Sequence, residues 1–520
     1  MSSRRDFLYT LALGSGAVFT ASLSSCANQS DTQSDSHASR VLMPEPRTGT
    51  PAHRIAHQYL RDGARIPEPS RTRQCDVVVI GGGMSGLAAA FAARDAGFST
   101  IVVEAESRAG GAAVSTRIGD ASVPLGSVYF VSRTPELDAL LHATDLTPVV
   151  CPEDEVILAD GQVVRNLWSD ATLRSAIKDE RDRQGMQRFR DDLLAMGDAL
   201  PSYPLAPTLS ARDAALDGTS AADYMRRYGS RTADALINAY ARSSMGAAST
   251  ITNAYCLLNF YQSELGGEFG FSRYSFPGGT SALTQRLAKL HADDMQHGVA
   301  VRVETNAQRV HVEVIADDGS CVRIVADYAI VAAPKYQLPR LMPQMPAVQR
   351  DACAAMTYAP YVTIQIASSR PLQDSTAYDT WDIRPGRSYT DVINPIVLQS
   401  SSKQYVVSLY MACDIAERRM LMDDRAFAER VAKVVDEYAA GLTDEQRGSI
   451  TSVHAWGWGH GIVVPTVGSH NGIAQRASAP MDRIVFAGTD NDAAPAIENA
   501  VANGFAAVKQ VRLFAGTAGS

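Results

Sequence analysis

Asp76-Val-Val-Val-Ile-Gly-Gly-Gly-Met-Ser-Gly86, a small-residue stretch to Gly97, Thr100-Ile-Val-Val-Glu104 and Arg108-Ala-Gly-Gly111 form the segment whose reading decides the fold. Val77 to Ile80 is an unbroken apolar run of β-branched residues, which suits a parallel strand covered on both faces. Gly81 permits a tight strand-to-helix turn, Gly83 lets the backbone approach a pyrophosphate, and Gly86 lets the following helix pack close. That helix opens at Met84 or Ser85, so its amides and dipole face the phosphates. Leu87, Ala88, Ala90, Phe91 and Ala92 give it an apolar face, and Gly97 ends it. A second buried strand, Thr100 to Val103, runs into Glu104, whose carboxylate can accept both ribose hydroxyl protons. The strand, the helix and the acid in register favour a dinucleotide site over an ordinary βαβ unit with a tight turn.

The pair Gly110-Gly111, with Arg108 before it, is unnecessary for a nicotinamide dinucleotide and favours FAD. This arrangement resembles the flavin amine oxidase and protoporphyrinogen oxidase superfamily, in which an Arg-x-Gly-Gly-Arg turn follows the acid. Ala112 stands at the last arginine position, leaving Arg117 as a possible substitute cation. The resemblance continues through Leu125-Gly-Ser127, placing Gly126 and Ser127 near the flavin. It runs on through Phe276-Pro-Gly-Gly-Thr-Ser-Ala-Leu283 and the strand ending at Val310, which the resemblance puts against adenine, to Ala326–Pro334. It closes with Arg483-Ile-Val-Phe-Ala-Gly-Thr-Asp490 and Ile497-Glu-Asn-Ala-Val-Ala-Asn-Gly504. Here Gly488, Thr489 and Asp490 correspond to a cofactor-binding turn, Thr489 occupying a glutamate position. Asn499 and Asn503 replace glycine and serine, and the amides of Ala500 and Val501 are expected to face the flavin edge that becomes negative on reduction.

The resemblance spans roughly residues 74–510 and implies an α/β fold. A discontinuous Rossmann-like FAD-binding domain (71–132, 267–340 and 478–516) is joined to an α+β substrate domain with a mixed sheet and a helical cap (133–266 and 341–477). Within the cap, helices are expected over Thr134–Asp145, Asp170–Met196, Thr219–Tyr228 and Thr232–Ser244, interrupted by a hairpin, Val156 to Val164, turning at Asp160-Gly161.

The substrate pocket is expected between Tyr358–Ile366 and His454–Pro465. Many amine oxidases of this family carry a lysine at the start of the first strand, where this chain has Pro360-Tyr361. Protoporphyrinogen oxidases and carotenoid desaturases lack that lysine too, and Val464 to His470 is faintly similar to a protoporphyrinogen oxidase segment. Trp456, Trp458 and His460 alternate and so share one face of a strand. With Tyr361 they are the pocket candidates, either as a cage for a cation or flat ring with His460 as a base, or as an aromatic ladder closing the core. Lys335, just after Pro334, reads as a solvated loop residue. No cysteine near the aromatic segment suggests a covalent flavin link, so FAD is expected to be non-covalent. The implied function is hydride transfer from a small organic substrate, an amine foremost, to FAD, with oxygen or another acceptor restoring the flavin. A protoporphyrinogen-type substrate and a non-catalytic FAD-binding lipoprotein are the alternatives; a nicotinamide enzyme is disfavoured because no second glycine fingerprint occurs.

The N-terminus carries an address. Ser3-Arg-Arg-Asp-Phe-Leu8 resembles a Tat export signal, and Leu23-Ser-Ser-Cys26 resembles a lipoprotein processing site at which Cys26 is acylated. Residues 1–26 are thus expected to be a signal, with residues 27–70 a flexible tether holding an exported enzyme to a membrane. The apolar stretch is shorter than the roughly 20 residues of a spanning helix. The net charge of -8, without a basic block, argues against nucleic acid. The cysteines after Cys26 are scattered without a C-x-x-C, so neither a metal site nor a disulfide framework is indicated.

Overall fold

The computed structural model describes residues 41–42, 50–197, 209–306, 308–373 and 375–518. The signal motifs of residues 1–26, with Cys26, lie outside the described residues.

The apolar run of the fingerprint strand is explained by what covers it. Val77, Val78 and Val79 have no exposed surface. Val78 and Ile80 enter one core cluster, with Leu338, Leu341 and Phe486, while Val77 and Val79 enter another, with Ala89, Ala90, Ala93 and Val511. Successive side chains thus feed opposite faces, and both faces are buried. Among the described residues the sheet has seven strands. In spatial order they are Met295–His297, Thr100–Glu104, Arg71–Ile80, Cys321–Val331, Val310–Ile315 and Val299–Thr305, with Ile484–Phe486 pairing parallel to Cys321–Val331. Arg71–Ile80 is parallel to both of its neighbours, so the glycine turn leaves the sheet at its centre, where ligand crevices of parallel sheets open.

Two glycines set how close the chain can approach itself here. Gly81 has φ +111°, and a Cβ on Gly86 would lie 1.8 Å from the Gly81 carbonyl oxygen. The helix Met84–Asp95 also packs on the helix Ile497–Ala518, where a Cβ on Gly504 would lie 2.6 Å from the Ser85 carbonyl oxygen. The N-termini of two helices therefore converge beside the same sheet end.

A second sheet, of eight described strands, is built on the antiparallel pair Tyr358–Ser368 and Ile450–Val463, in which Tyr361 faces Trp458 and Thr363 faces Trp456. Tyr405–Ala412, Asp391–Ile393 and Asp379–Asp382 extend it. The expected hairpin forms as Glu155–Ile157 and Val163–Arg165, but it joins this sheet beside Asp379–Asp382. The cap helices pack around Trp168, Phe189, Tyr224, Tyr240 and Tyr261. The single helix expected over Asp170–Met196 is two, Asp170–Ala176 and Glu180–Met196. Asp179 restarts the second by accepting the amides of Arg181 and Asp182.

The tether expected over residues 27–70 is corrected in its second half. Thr50 caps a helix, Pro51–Ala56, that continues to Arg61. Ala52 and Ile55, with Tyr59 and Leu60, place an apolar face on Val299, Val301 and Ile315 of the first sheet. Val41–Leu42 pairs in parallel with Val453 and His454 at an edge of the second sheet.

Replacing Gly86 with Ala forces the fingerprint helix off the turn. Chemical denaturation is expected to show a loss of about 3 kcal/mol, in the range of severe overpacking, together with reduced bound flavin.

Candidate active site

A cavity of about 620 Å³ runs from the glycine turn to the cap. At its first end Glu104, buried, accepts the Gly82 amide on Oε2 at 2.8 Å and the Glu106 amide on Oε1 at 2.8 Å. Burial raises its pKa, opposed by those two backbone bonds. Each carboxylate oxygen keeps a lone pair for a further donor. The Gly110 amide donates to the Gly82 carbonyl at 2.8 Å, and Gly83 bridges Gly110, so the second glycine pair is pinned against the first turn. Ser127 donates its amide to the Ala112 carbonyl at 3.0 Å, which brings Gly126 and Ser127 to the same wall.

These residues fit a dinucleotide diphosphate. The walls at Gly81, Gly83, Gly86, Gly110 and Gly111 carry no side chains, and Met84 and Ser85 open the helix beside them. Ser85 Oγ is buried and has no hydrogen-bond partner in the protein. An orphaned hydroxyl at a helix N-terminus facing a cavity suits an anionic oxygen. No lysine or arginine lines the cavity among the described residues, so backbone amides and helix dipoles are left to hold the phosphates.

The structure also brings Gly488, Thr489, Asp490 and Ala500 to the cavity. Asp490 Oδ2 accepts the Lys335 amide at 3.0 Å and the Tyr358 hydroxyl at 2.5 Å. Lys335 is the main surprise of this wall. It has no exposed surface, its Nζ donates to Asn491 Oδ1 at 2.7 Å, and it lies 5.1 Å from the Phe486 ring centroid. It is a buried amino group behind the turn, its pKa lowered by burial, and not a solvated loop residue.

Five expected site residues lie elsewhere. Arg108 is exposed, donates to the Ser115 carbonyl at 3.0 Å and stands over the Trp456 ring; Arg117, the suggested substitute, donates to the Asp120 carbonyl. Val310 is buried within the sheet core opposite Thr305, whereas Gly298, Val299 and Ala300, at the other end of that strand pair, line the cavity. Asn499 is buried with its Nδ2 on the Ala494 carbonyl at 2.7 Å, and Val501 packs against Leu87 and Phe130 in the core. The Ala500 amide donates to the Ala496 carbonyl at 3.0 Å, so the amides ahead of the first helical bond are those of Ile497, Glu498 and Asn499. Trp456 packs on Val114 and Leu125, outside the cavity.

At the cap end, Tyr361, Trp458 and His460 line the cavity with Tyr129, Tyr240, Phe260 and Tyr410. Trp458 Nε1 donates to the Leu125 carbonyl at 2.7 Å, Tyr410 donates its hydroxyl proton to the Gly126 carbonyl at 2.8 Å, and the Tyr361 hydroxyl meets Ser243 Oγ at 3.2 Å. Both rings on the Leu125–Gly126 turn are thereby fixed in orientation. His460 stacks on Tyr336, with ring centroids 4.2 Å apart. Desolvation and Arg418 lower its pKa, so it is a weaker base than its position in the sequence implied. Sequence reasoning missed three carboxylates of this end, Glu264, Asp391 and Glu498. Glu498 is held by the amides of Val131 at 2.7 Å and Ser132 at 2.9 Å. Burial raises the carboxyl of Asp391 to about 6. These acids come from three separate segments, and only Glu498 stands inside a recognisable motif.

The fold and the cavity define a flavoprotein oxidoreductase with an FAD domain and a capped substrate domain. The model of the family described as flavin containing amine oxidoreductase matches residues 84–512, and the chain belongs to that family; FAD is its cofactor. Nicotine dehydrogenase of Pseudomonas putida is 28% identical over 166 residues, a match spanning 32% of this chain and 33% of that protein. Rat flavin-containing amine oxidase B is 44% identical over 59 residues, 11% of either chain. Among solved structures, a redesigned putrescine oxidase superposes with a TM-score of 0.69 at 18% identity, covering 85% of this chain and 100% of that one. Cyclohexylamine oxidase from Brevibacterium oxydans gives 0.66 at 18%, with coverage of 85% and 100%. These structural likenesses establish the fold.

Because Ser85 Oγ has no partner within the protein, Ser85→Ala is expected to leave the stability of the FAD-free protein within about 0.5 kcal/mol. It should weaken FAD binding by about tenfold, as for one charge-assisted bond; flavin fluorescence titration reads the change.

Proposed function

We propose that this protein oxidises an amine, with FAD held non-covalently and oxygen or another acceptor restoring the flavin. One observation carries the reading: the cavity is lined by five carboxylates, Glu104, Glu264, Asp391, Asp490 and Glu498, and by no lysine or arginine among the described residues. Glu104 and Asp490 lie at the dinucleotide end. Glu264, Asp391 and Glu498 lie at the cap end among Tyr129, Tyr361, Tyr410 and Trp458, a setting that favours an organic cation by charge and by the ring faces. A porphyrinogen, which carries carboxylates of its own, would meet like charge there.

FAD, when bound, supplies the two-electron acceptor for a substrate C–H bond. The chain supplies the remainder. The aromatic walls exclude water and orient the carbon skeleton. The carboxylates draw in the ammonium form and can take its proton as the neutral amine is generated. The helix that opens at Ile497 turns its positive dipole end to the cavity through Ile497 and Glu498. No cysteine lines the cavity among the described residues, which supports a dissociable cofactor.

The N-terminal motifs support export by the Tat route and a lipid anchor at Cys26, placing the enzyme on a membrane facing the periplasm or cell exterior.

Anaerobic addition of an amine to the yellow holoprotein is expected to bleach the flavin band; no bleaching across primary, secondary and cyclic amines would sink the amine reading. Denaturation is expected to release all of the FAD into the supernatant after precipitation. Since the raised carboxyl of Asp391 ionises at about 6, its attraction for a cation is present above that pH. Amine binding, followed by the perturbation of the flavin spectrum, is therefore expected to weaken as pH falls below about 6 and to lose part of that dependence in Asp391→Asn.

A further inference from the structure

Glu264 and Asp391 are the cavity-facing members of a larger buried cluster. Arg273 is only 7% exposed. Its Nε donates to Glu264 Oε2 at 2.7 Å, and its Nη1 lies 2.9 Å from both Asp154 Oδ1 and Asp379 Oδ2. Asp391 stands on the neighbouring strand, in register with Trp381, two residues along from Asp379. Three carboxylates thus hold one guanidinium, and a fourth, Asp391, stands on the strand beside them. Fully ionised, they would leave three negative charges uncompensated in the interior, an arrangement that stands only with protons or further cations. Burial does raise the carboxyls of Asp154, Asp379 and Asp391.

Two observations mark the cluster as short of partners and in contact with the cavity. Asp379 has no exposed surface, yet its Oδ1 has no hydrogen-bond partner. Glu264 and Asp391 are themselves cavity walls, flanked by Tyr129, Tyr240 and Tyr410. Beyond Glu264 and Tyr240, which it shares as walls, lies a second cavity of about 140 Å³ bordered by Asp154, Trp168, Tyr261 and Trp381. Glu264 therefore stands where the main cavity ends in the cap, in an aromatic and acidic surround on both sides. The glycine turn and Glu104 mark the opposite end.

We propose that Glu264 and Asp391, backed by Asp379, form a second cation subsite that holds the distal ammonium of an α,ω-diamine, so that the preferred substrate is a dication. This rests on the amine reading above and adds where the far end of the substrate is held. A dication supplies the positive charge that the cluster lacks, whereas a monoamine long enough to reach it would leave its apolar tail against carboxylates.

The test uses the FAD-loaded protein and two matched series, straight-chain monoamines and α,ω-diamines of equal carbon number, read as anaerobic flavin reduction. At the best chain length the diamine is expected to exceed its monoamine partner in kcat/KM by about tenfold or more, the worth of one buried charge contact. That advantage should peak at one length and decline on either side. In Glu264→Gln and Asp391→Asn, accepted only where flavin content and circular dichroism match the parent, the diamine-to-monoamine ratio is expected to fall towards one. Monoamines reduced as well as or better than diamines throughout the unaltered protein's series would overturn the subsite while leaving amine oxidation standing. Failure of both series, with all other amines, would overturn both readings.

Discussion

The backbone of Gly82 is the point on which the site depends. Its amide is held by Glu104 and its carbonyl by the Gly110 amide. The turn after the first strand, the end of the second strand and the second glycine pair are therefore one hydrogen-bonded unit. Buried backbone groups must be paired, and here the pairing itself shapes the cradle. The remaining contributors, Gly126 and Ser127 from one side and the helix opening at Ile497 from the other, close around a form that this unit has already set.

The same cavity shows how charge has been distributed. With no lysine or arginine on its walls among the described residues, the dinucleotide end relies on helix N-termini and backbone amides, whose partial charges are fixed in direction and need no buried counter-ion. Lys335 is the nearest exception in character, buried behind the turn on Asn491 and Phe486. At the cap end, where no basic side chain lines the cavity among the described residues, the consequence is the opposite. Carboxylates gathered around Arg273 give this end of the cavity an acidic character, and the Leu125–Gly126 turn holds the Trp458 and Tyr410 rings that face it.

The glycine turn, the covered strand and Glu104 were legible because their signals are local. An unbroken β-branched run, a glycine at each close approach and an acid at the next strand end all lie within one stretch of chain. Errors arose where a residue's role depends on partners distant in sequence. Lys335 follows a proline in a loop and looks solvated, but Asn491 and Phe486 cover it. Ala500 and Val501 were placed by motif, and the helix begins early enough that the Ala500 amide is already bonded to Ala496. The strand expected to end at Val310 stops at Thr305, Val310 opens the antiparallel strand that follows, and it is Gly298, Val299 and Ala300 that reach the cavity. The helix at Pro51–Ala56 was readable from Thr50, Pro51 and the spacing of Ala52 and Ile55, and it was obscured by the polar composition around it.

By itself the sequence determined the cofactor class, since a strand, a glycine turn and a ribose-facing acid impose their geometry through hydrogen bonds and steric exclusion over short range. What only the tertiary structure decided was the character of the substrate end. Glu264, Asp391 and Glu498 come from a cap helix end, a sheet strand and a helix start, and nothing in their local spacing relates them. Their meaning arises only when folding removes water from between them, because in that low-dielectric space three separate carboxylates become one electrostatic site.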